Sequence, residues 1–338
     1  MSADDVTAVR TGVALTDGAH LSFARVIGRD AHVLLDRVSP RALFVRSGQM
    51  LHTLLLDDAA IPLADVYLCC GDDDYTIVAE GMTGAELARY LEPHRAGLDA
   101  SVVDLDPTHA ALCLEGPFSW ELLAELTTPD VIGLPYLSFF TDAGLQCFRG
   151  GKTAEFGYDL LVERGALAAL RERILVAGRA FDLREVDRAT IETCMLEAAF
   201  FNVRREVRPG LTPIELQLQW RTTGGRTFPG STALAAHRTT RRSSLVASAQ
   251  PIELGPVTLD GEVRGEVLHA AFSPVRGEHL GLAVVDLQLA HPGIPLGALR
   301  TISSPAVNNR SLYVDPQRHS YATRATAKFP ALLRPSWS

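Results

Sequence analysis

No apolar run in the chain reaches the ~18 residues that suggest a membrane span, and its 32 lysines and arginines form no block. With a formal net charge of −8, neither a membrane nor a nucleic acid is an expected partner. Cysteine is scarce: five in 338 residues, an odd number, with no C-x-x-C pair. Cys69, Cys70, Cys113, Cys147 and Cys194 are therefore expected as buried thiols of a reduced, cytoplasmic protein, not as a disulfide or zinc framework. The opening Met1-Ser2-Ala3-Asp4-Asp5 lacks the basic and apolar regions of a signal peptide. G-x-G-x-x-G, the P-loop, G-x-S-x-G and H-E-x-x-H are all missing, which leaves NAD, ATP, serine-hydrolase and zinc-protease chemistry unsupported. There is no internal repeat and no low-complexity segment.

The composition, 47% apolar over 338 residues, allows a large core and more than one domain. Helical and strand patterns mix without strict alternation, so the expected class is α+β. Helices are expected over 30–37, from Thr83 as cap to Leu91, after Ser119, over 166–177 and over 183–199. An apolar run over 49–58 precedes a hairpin: strands 64–70 and 75–79 flank the acidic turn Gly71-Asp72-Asp73-Asp74. From Arg241 onward short strands and turns dominate, and Asp260-Gly261 marks a two-residue hairpin between 257–259 and 262–267. A β-rich domain is therefore expected over 236–320, after a larger α+β region over 10–232. The segment 300–338 reads as irregular chain packed on the body.

Four stretches carry a resemblance. Gly48-Gln49-Met50-Leu51-His52-Thr53 through Ala60-Ile61-Pro62-Leu63-Ala64-Asp65 follows GQALYTxLLNxxGGIxDD without a gap. Arg149-Gly150-Gly151-Lys152-Thr153-Ala154-Glu155-Phe156-Gly157-Tyr158-Asp159-Leu160 follows RTGYTGEDGFEL. Leu196-Glu197-Ala198-Ala199, then Thr212-Pro213-Ile214-Glu215 and Trp220, follow LEAG…TPxE…W. Phe228-Pro229-Gly230, Arg241-Arg242 and Phe272-Ser273-Pro274 supply later landmarks. In this order and spacing they resemble the glycine-cleavage T-protein family, the folate-dependent aminomethyl and methyl transferases. That resemblance implies a three-domain cloverleaf, two N-terminal α+β domains and a C-terminal β-barrel-like domain around a central pocket.

It also implies a cofactor, tetrahydrofolate, and a small-molecule donor. Asp65 falls on the family's catalytic carboxylate, suited to stabilising a cationic transferred carbon, and His52, which replaces a pocket tyrosine, is the second catalytic candidate, placed to hydrogen-bond a substrate or act as base. The cofactor-binding positions are Asp159, where the family has a pterin-gripping Glu; Glu155; Lys152, which replaces a Tyr; Phe200 and Trp220 on the aromatic wall; and Arg188. Ile191 stands where the family has an Arg, and Arg188, three residues earlier on the same helix face, is a substitute. Ala60-Ile61 and Ala64 depart from GGIxDD, and Ala79 or Glu80 replaces an Asn. The expected function is a folate-linked one-carbon transferase or demethylase distinct from the standard glycine-cleavage enzyme. The alternatives are an enzyme on this scaffold acting without folate and a non-catalytic metabolite-binding member. No Cys lies near 212–218, which separates the chain from the family's iron–sulfur-assembly branch.

Overall fold

The structure, a computed structural model, describes residues 3–302. Three sheets organise it. The first runs in the order Arg184–Glu185, Ala14–Asp17, His109–Glu115, Gly157–Glu163, Leu145–Arg149, Ser138–Asp142. The second runs Met50–Leu56, Pro62–Cys70, Asp74–Glu80, Ser22–Ile27, Ser101–Asp104. The chain leaves the first sheet after one strand, completes the second, and returns, so two α+β lobes interleave in sequence. The third sheet takes the strands from Arg241–Ser248 to Leu299–Ile302 and is wholly antiparallel. This is the α+β cloverleaf expected above.

Local chemistry explains the elements. In the Ala31–Val38 helix the buried residues Ala31, Leu34, Leu35 and Val38 recur at helical spacing and pack on Leu55, Val66 and Leu68 of the second sheet. A fully buried leucine contributes roughly 1.5–3 kcal/mol, so this stripe fixes the helix to its sheet. Thr83 and Glu86 form a reciprocal capping box at the start of Gly84–Leu91. Asp260 and Gly261 both have positive φ, as a type I′ turn requires, between Gly255–Leu259 and Glu262–Ser273.

Two expectations need correction. The helix expected over 183–199 is shorter, Arg188–Glu197, because Arg184–Glu185 instead extends the first sheet beside Ala14 and Leu15 and Asp187 caps the helix by accepting from Thr190 N. The irregular segment expected from residue 300 begins with an ordered strand, Leu299–Ile302, paired with Leu245–Ala247; residues 303–338 lie outside the described residues. The helix Ala3–Thr11 was not anticipated; it buries Val6 and Val9 against Ile191 and Met195. All five cysteines are free, and all but Cys70 are buried. Among the described residues no helix is long and apolar enough to cross a membrane.

The glycines of the second motif stretch answer to backbone contact. A Cβ on Gly157 would meet Gly151 Cα at 2.4 Å, and one on Gly151 would meet Gly157 Cα at 2.7 Å. This approach folds the 151–157 loop back on itself beside Lys152. Gly157→Ala is expected to destabilise the protein by about 1–3 kcal/mol through overpacking, measured as a lower urea midpoint with an unchanged m-value.

Candidate active site

Asp65 and Glu80 stand opposite each other in the register of neighbouring strands, both buried. Two carboxylates so placed repel, and a cation between them removes the conflict. Lys152, from the 151–157 loop, donates from Nζ to Asp65 Oδ2 at 2.8 Å and to Glu80 Oε1 at 2.5 Å. Arg188 donates to the other Glu80 oxygen at 2.8 Å. Asp65 Oδ1 receives His52 Nε2 at 2.8 Å and a short contact from Arg221 Nη1. His52 lies two residues along the strand from Leu54, the register partner of Asp65, which accounts for the 13-residue separation.

The charges follow from these contacts. Burial alone raises the Asp65 carboxyl, but Arg221, His52 and Lys152 outweigh it and hold it well below the usual carboxylate range. Burial lowers Lys152, yet Asp65 and Glu80 prevail and keep it protonated. His52 is pushed down to about 4, chiefly by burial, so it is neutral near pH 7. Because Asp65 is ionised and only accepts, Nε2 carries the imidazole hydrogen. Tyr67 packs on His52 with ring centroids 4.3 Å apart and donates its hydroxyl to Gly150 O at 2.9 Å, bracing both histidine and loop.

Two cavities flank this layer. The inner one, about 30 Å³, is lined by Lys152, Asp159, Glu80, Glu115, Arg188 and His20, among others. The outer one, about 450 Å³, lies between the 196–201 and 216–221 segments and the third sheet. Its walls include Phe200, Phe201 and Trp220, and Arg221 and Glu206 also line it. Lys152 thus caps Asp65 toward the inner cavity and Arg221 toward the outer one. The Arg221 guanidinium lies 4.8 Å from the Trp220 ring and 5.7 Å from that of Phe201. Among the described residues its buried Nε has no hydrogen-bond partner.

Of the residues expected from sequence, Asp65, His52 and Lys152 meet in one bonded cluster, and Arg188 joins it through Glu80. Asp159 lines the inner cavity, where burial pushes its carboxyl up to about 6. Phe200 and Trp220 belong to the outer cleft, and Trp220 is 55% exposed. Glu155 turns away from both cavities to Arg10, at 3.5 Å. Sequence reasoning missed Arg221, Glu115 and Glu206. The one signal for Arg221 was a cation directly following Trp220; the two carboxyls gave none.

The family model of the GCVT N-terminal domain matches residues 1–224. The aminomethyltransferase of Streptomyces coelicolor is 30% identical over 309 residues, covering 86% of this chain and 82% of that protein. That of Thermotoga petrophila is 24% identical over 326 residues, covering 89% and 88%. The crystal structure of glycine cleavage system aminomethyltransferase T from Bartonella henselae superposes with a TM-score of 0.80 at 24% identity, covering 90% of this chain and 89% of that one. This last likeness concerns the fold.

A pterin does not fit the inner cavity as arranged. An acceptor for its amino edge is present in Asp159, but about 30 Å³ holds a water or two, against the ~300–1,000 Å³ of ordinary ligand pockets. Lys152 and its partners occupy the remaining space.

Two consequences are measurable. Asp65→Asn leaves Lys152 and Arg221 buried with less counter-charge, so stability at pH 7 should fall by about 3–5 kcal/mol, read by urea unfolding. An unchanged urea midpoint would show that the cluster is not tightly coupled. Glu115 accepts from Thr153 Oγ1 at 2.7 Å and is pushed up to about 8, mainly by burial. A carboxyl raised in the folded state keeps a proton that the unfolded chain releases, so stability falls as pH rises from the unfolded value near 4.3 toward 8. Glu115→Gln lacks this penalty. Its stability relative to the parent should therefore grow by roughly 1 kcal/mol per pH unit between pH 5 and 7.

Proposed function

Because the chain belongs to the glycine-cleavage T-protein, or aminomethyltransferase, family, we propose that it transfers a one-carbon unit, aminomethyl or methyl, from a small-molecule donor. The observation that carries this reading is the position of Asp65. The motif that resembles the family's catalytic segment delivers an ionised carboxylate to the layer between two cavities, one of them of ligand size. A carbon leaving one heteroatom for another gains positive charge, and a fixed carboxylate in a buried site stabilises that charge.

The outer cleft is the donor side. Aromatic and aliphatic side chains from Phe200, Trp220 and Leu245 would bury a ring or chain, and Gln217, Ser243 and Ser244 supply polar atoms. To bring the reacting carbon against Asp65, a cationic donor takes over the contact that Arg221 makes with it. Arg221, already stacked between Trp220 and Phe201, needs only to withdraw Nη1.

Tetrahydrofolate is the carrier implied by the resemblance. Its binding to the inner cavity requires Lys152 to leave, so weak binding is expected. A second reading, transfer to another acceptor without folate, is favoured by the closed inner cavity.

The test is a screen of N-methyl and N-aminomethyl donors with and without tetrahydrofolate, alongside thermal shift. At a folate concentration equal to Kd the native state gains ~0.4 kcal/mol, a shift of about 1 °C or less for a chain of this length. We expect no larger shift at 1 mM. A rise of several degrees would refute the closed-cavity account and favour the folate-linked reading. For a donor that turns over, Asp65→Asn should lower kcat per folded molecule by ~10²–10³. Retention of more than half the parent rate would remove Asp65 from the chemistry.

A further inference from the structure

Glu206 ends the short helix Val203–Glu206 and is 5% exposed. One oxygen, Oε1, accepts the Asn202 N–H at 3.0 Å and completes the local turn. Oε2 accepts no hydrogen bond among the described residues, and the residue lines the 450 Å³ cleft. Arg221, whose buried Nε also lacks a partner among the described residues, lines the same cleft. A structural capping carboxylate needs only Oε1, so Glu206 brings an unused carboxyl oxygen to the lining of a ligand-sized cavity that Arg221 also lines.

We propose that Glu206 is the proton-transfer residue of the cleft, acting on donors of the class X–CH2–N, in which a carbon bridges a leaving heteroatom X and an amine nitrogen. This rests on the one-carbon reading of the same site. The C–X bond breaks with its electron pair going to X, and X takes the Glu206 proton and departs as X–H. The nitrogen lone pair forms the C=N bond of an iminium. An amine acceptor then adds its lone pair to that carbon and gives its N–H proton to the Glu206 carboxylate. Atoms and charge balance: X leaves with one hydrogen, the acceptor loses one, and the carboxyl is restored.

The electrostatics match the role. Burial pushes Glu206 up to about 8; Arg221 and Lys152 pull it down and Asp65 pushes it up, without overturning burial. It therefore carries its proton at pH 7, while Asp65 remains ionised. The two carboxyls divide the work: one fixed charge for the cation, one exchangeable proton for the leaving group.

The experiment follows exchange of bis(dimethylamino)methane with 15N-labelled benzylamine, with the uncatalysed rate subtracted, for the full chain and for E206Q and E206D. Glutamine keeps Oε1 as an acceptor for Asn202 N–H, so the turn survives. We expect parent kcat to fall as pH rises through about 8. In E206Q we expect kcat to drop at least ~10²-fold with KM little changed and the pH dependence gone, and E206D should recover part of the rate. In parallel, the infrared difference between parent and E206Q should contain a protonated-carboxyl band at pH 7 that vanishes through about pH 8. E206Q turnover within twofold of the parent, an unmoved pH profile, or no such band would each overturn the proposal. If the parent itself exchanges none of the donors screened, the one-carbon reading falls and takes this role with it. That failure is distinct, because it needs no variant to be seen.

Discussion

The fold turns on one buried ion cluster: Asp65 held by Lys152, Arg221 and His52, with Glu80 and Arg188 completing it. Its members come from three strands of the second sheet, the 151–157 loop, the Arg188–Glu197 helix and the 216–221 turn. Removing a carboxylate from water costs several kcal/mol, and only good partners recover it. The elements must therefore dock together for any of the charges to be tolerated. A hydrophobic layer here would hold the lobes equally well, so an ionised centre points to use of the charge.

A second buried node shows what several motif residues do. Arg10 donates to Glu197 Oε2 at 2.6 Å, and Ser273 donates to Glu197 Oε1 at 2.6 Å. The glutamate of Leu196-Glu197-Ala198-Ala199 thus ties the N-terminal helix to the serine of Phe272-Ser273-Pro274 in the third sheet. Thr212-Pro213-Ile214-Glu215 closes on itself: Thr212 N and Oγ1 both donate to Glu215 Oε2, at 3.0 and 2.6 Å. Their spacing records how the lobes are clasped, so it speaks for the fold and says little about the donor.

This division explains what the sequence disclosed. The hairpin at 62–80, the Thr83 cap and the Asp260-Gly261 turn were legible because each is set by residues within a few positions of one another. Asp65 and His52 were legible through one gapless motif. Lys152 stood out as a departure, but its bridge between Asp65 and Glu80 exists only once a loop 87 residues away is folded against the sheet. Arg221 reaches Asp65 across 156 residues, and no local pattern encodes that contact. The expected helix over 183–199 failed for a related reason. Its first residues carry no helical disqualification; the open edge beside Ala14–Asp17 claims their backbone.

The cluster also explains the odd behaviour of its neighbours. Asp65 and Glu80 are buried yet ionised, whereas the buried Glu115 and Glu206 and the half-buried Asp159 are raised, to about 8, 8 and 6. The nearby cations make the difference. Lys152 and Arg221 hydrogen-bond Asp65, while Lys152 and Arg188 hydrogen-bond Glu80, so the other three carboxyls feel these charges only from a distance. Burial then sets their protonation. A single cation assignment thus produces a fixed negative charge at the centre and protonated carboxyls in both cavities beside it. Moving Lys152 or Arg221 off Asp65 would couple these states, because a released cation beside a neighbouring carboxyl favours its ionised form and the loss of its proton to solvent. On the proposed reading, a ligand that displaced either cation would therefore also change the protonation of its neighbours, and the outer cleft has the volume for such a ligand.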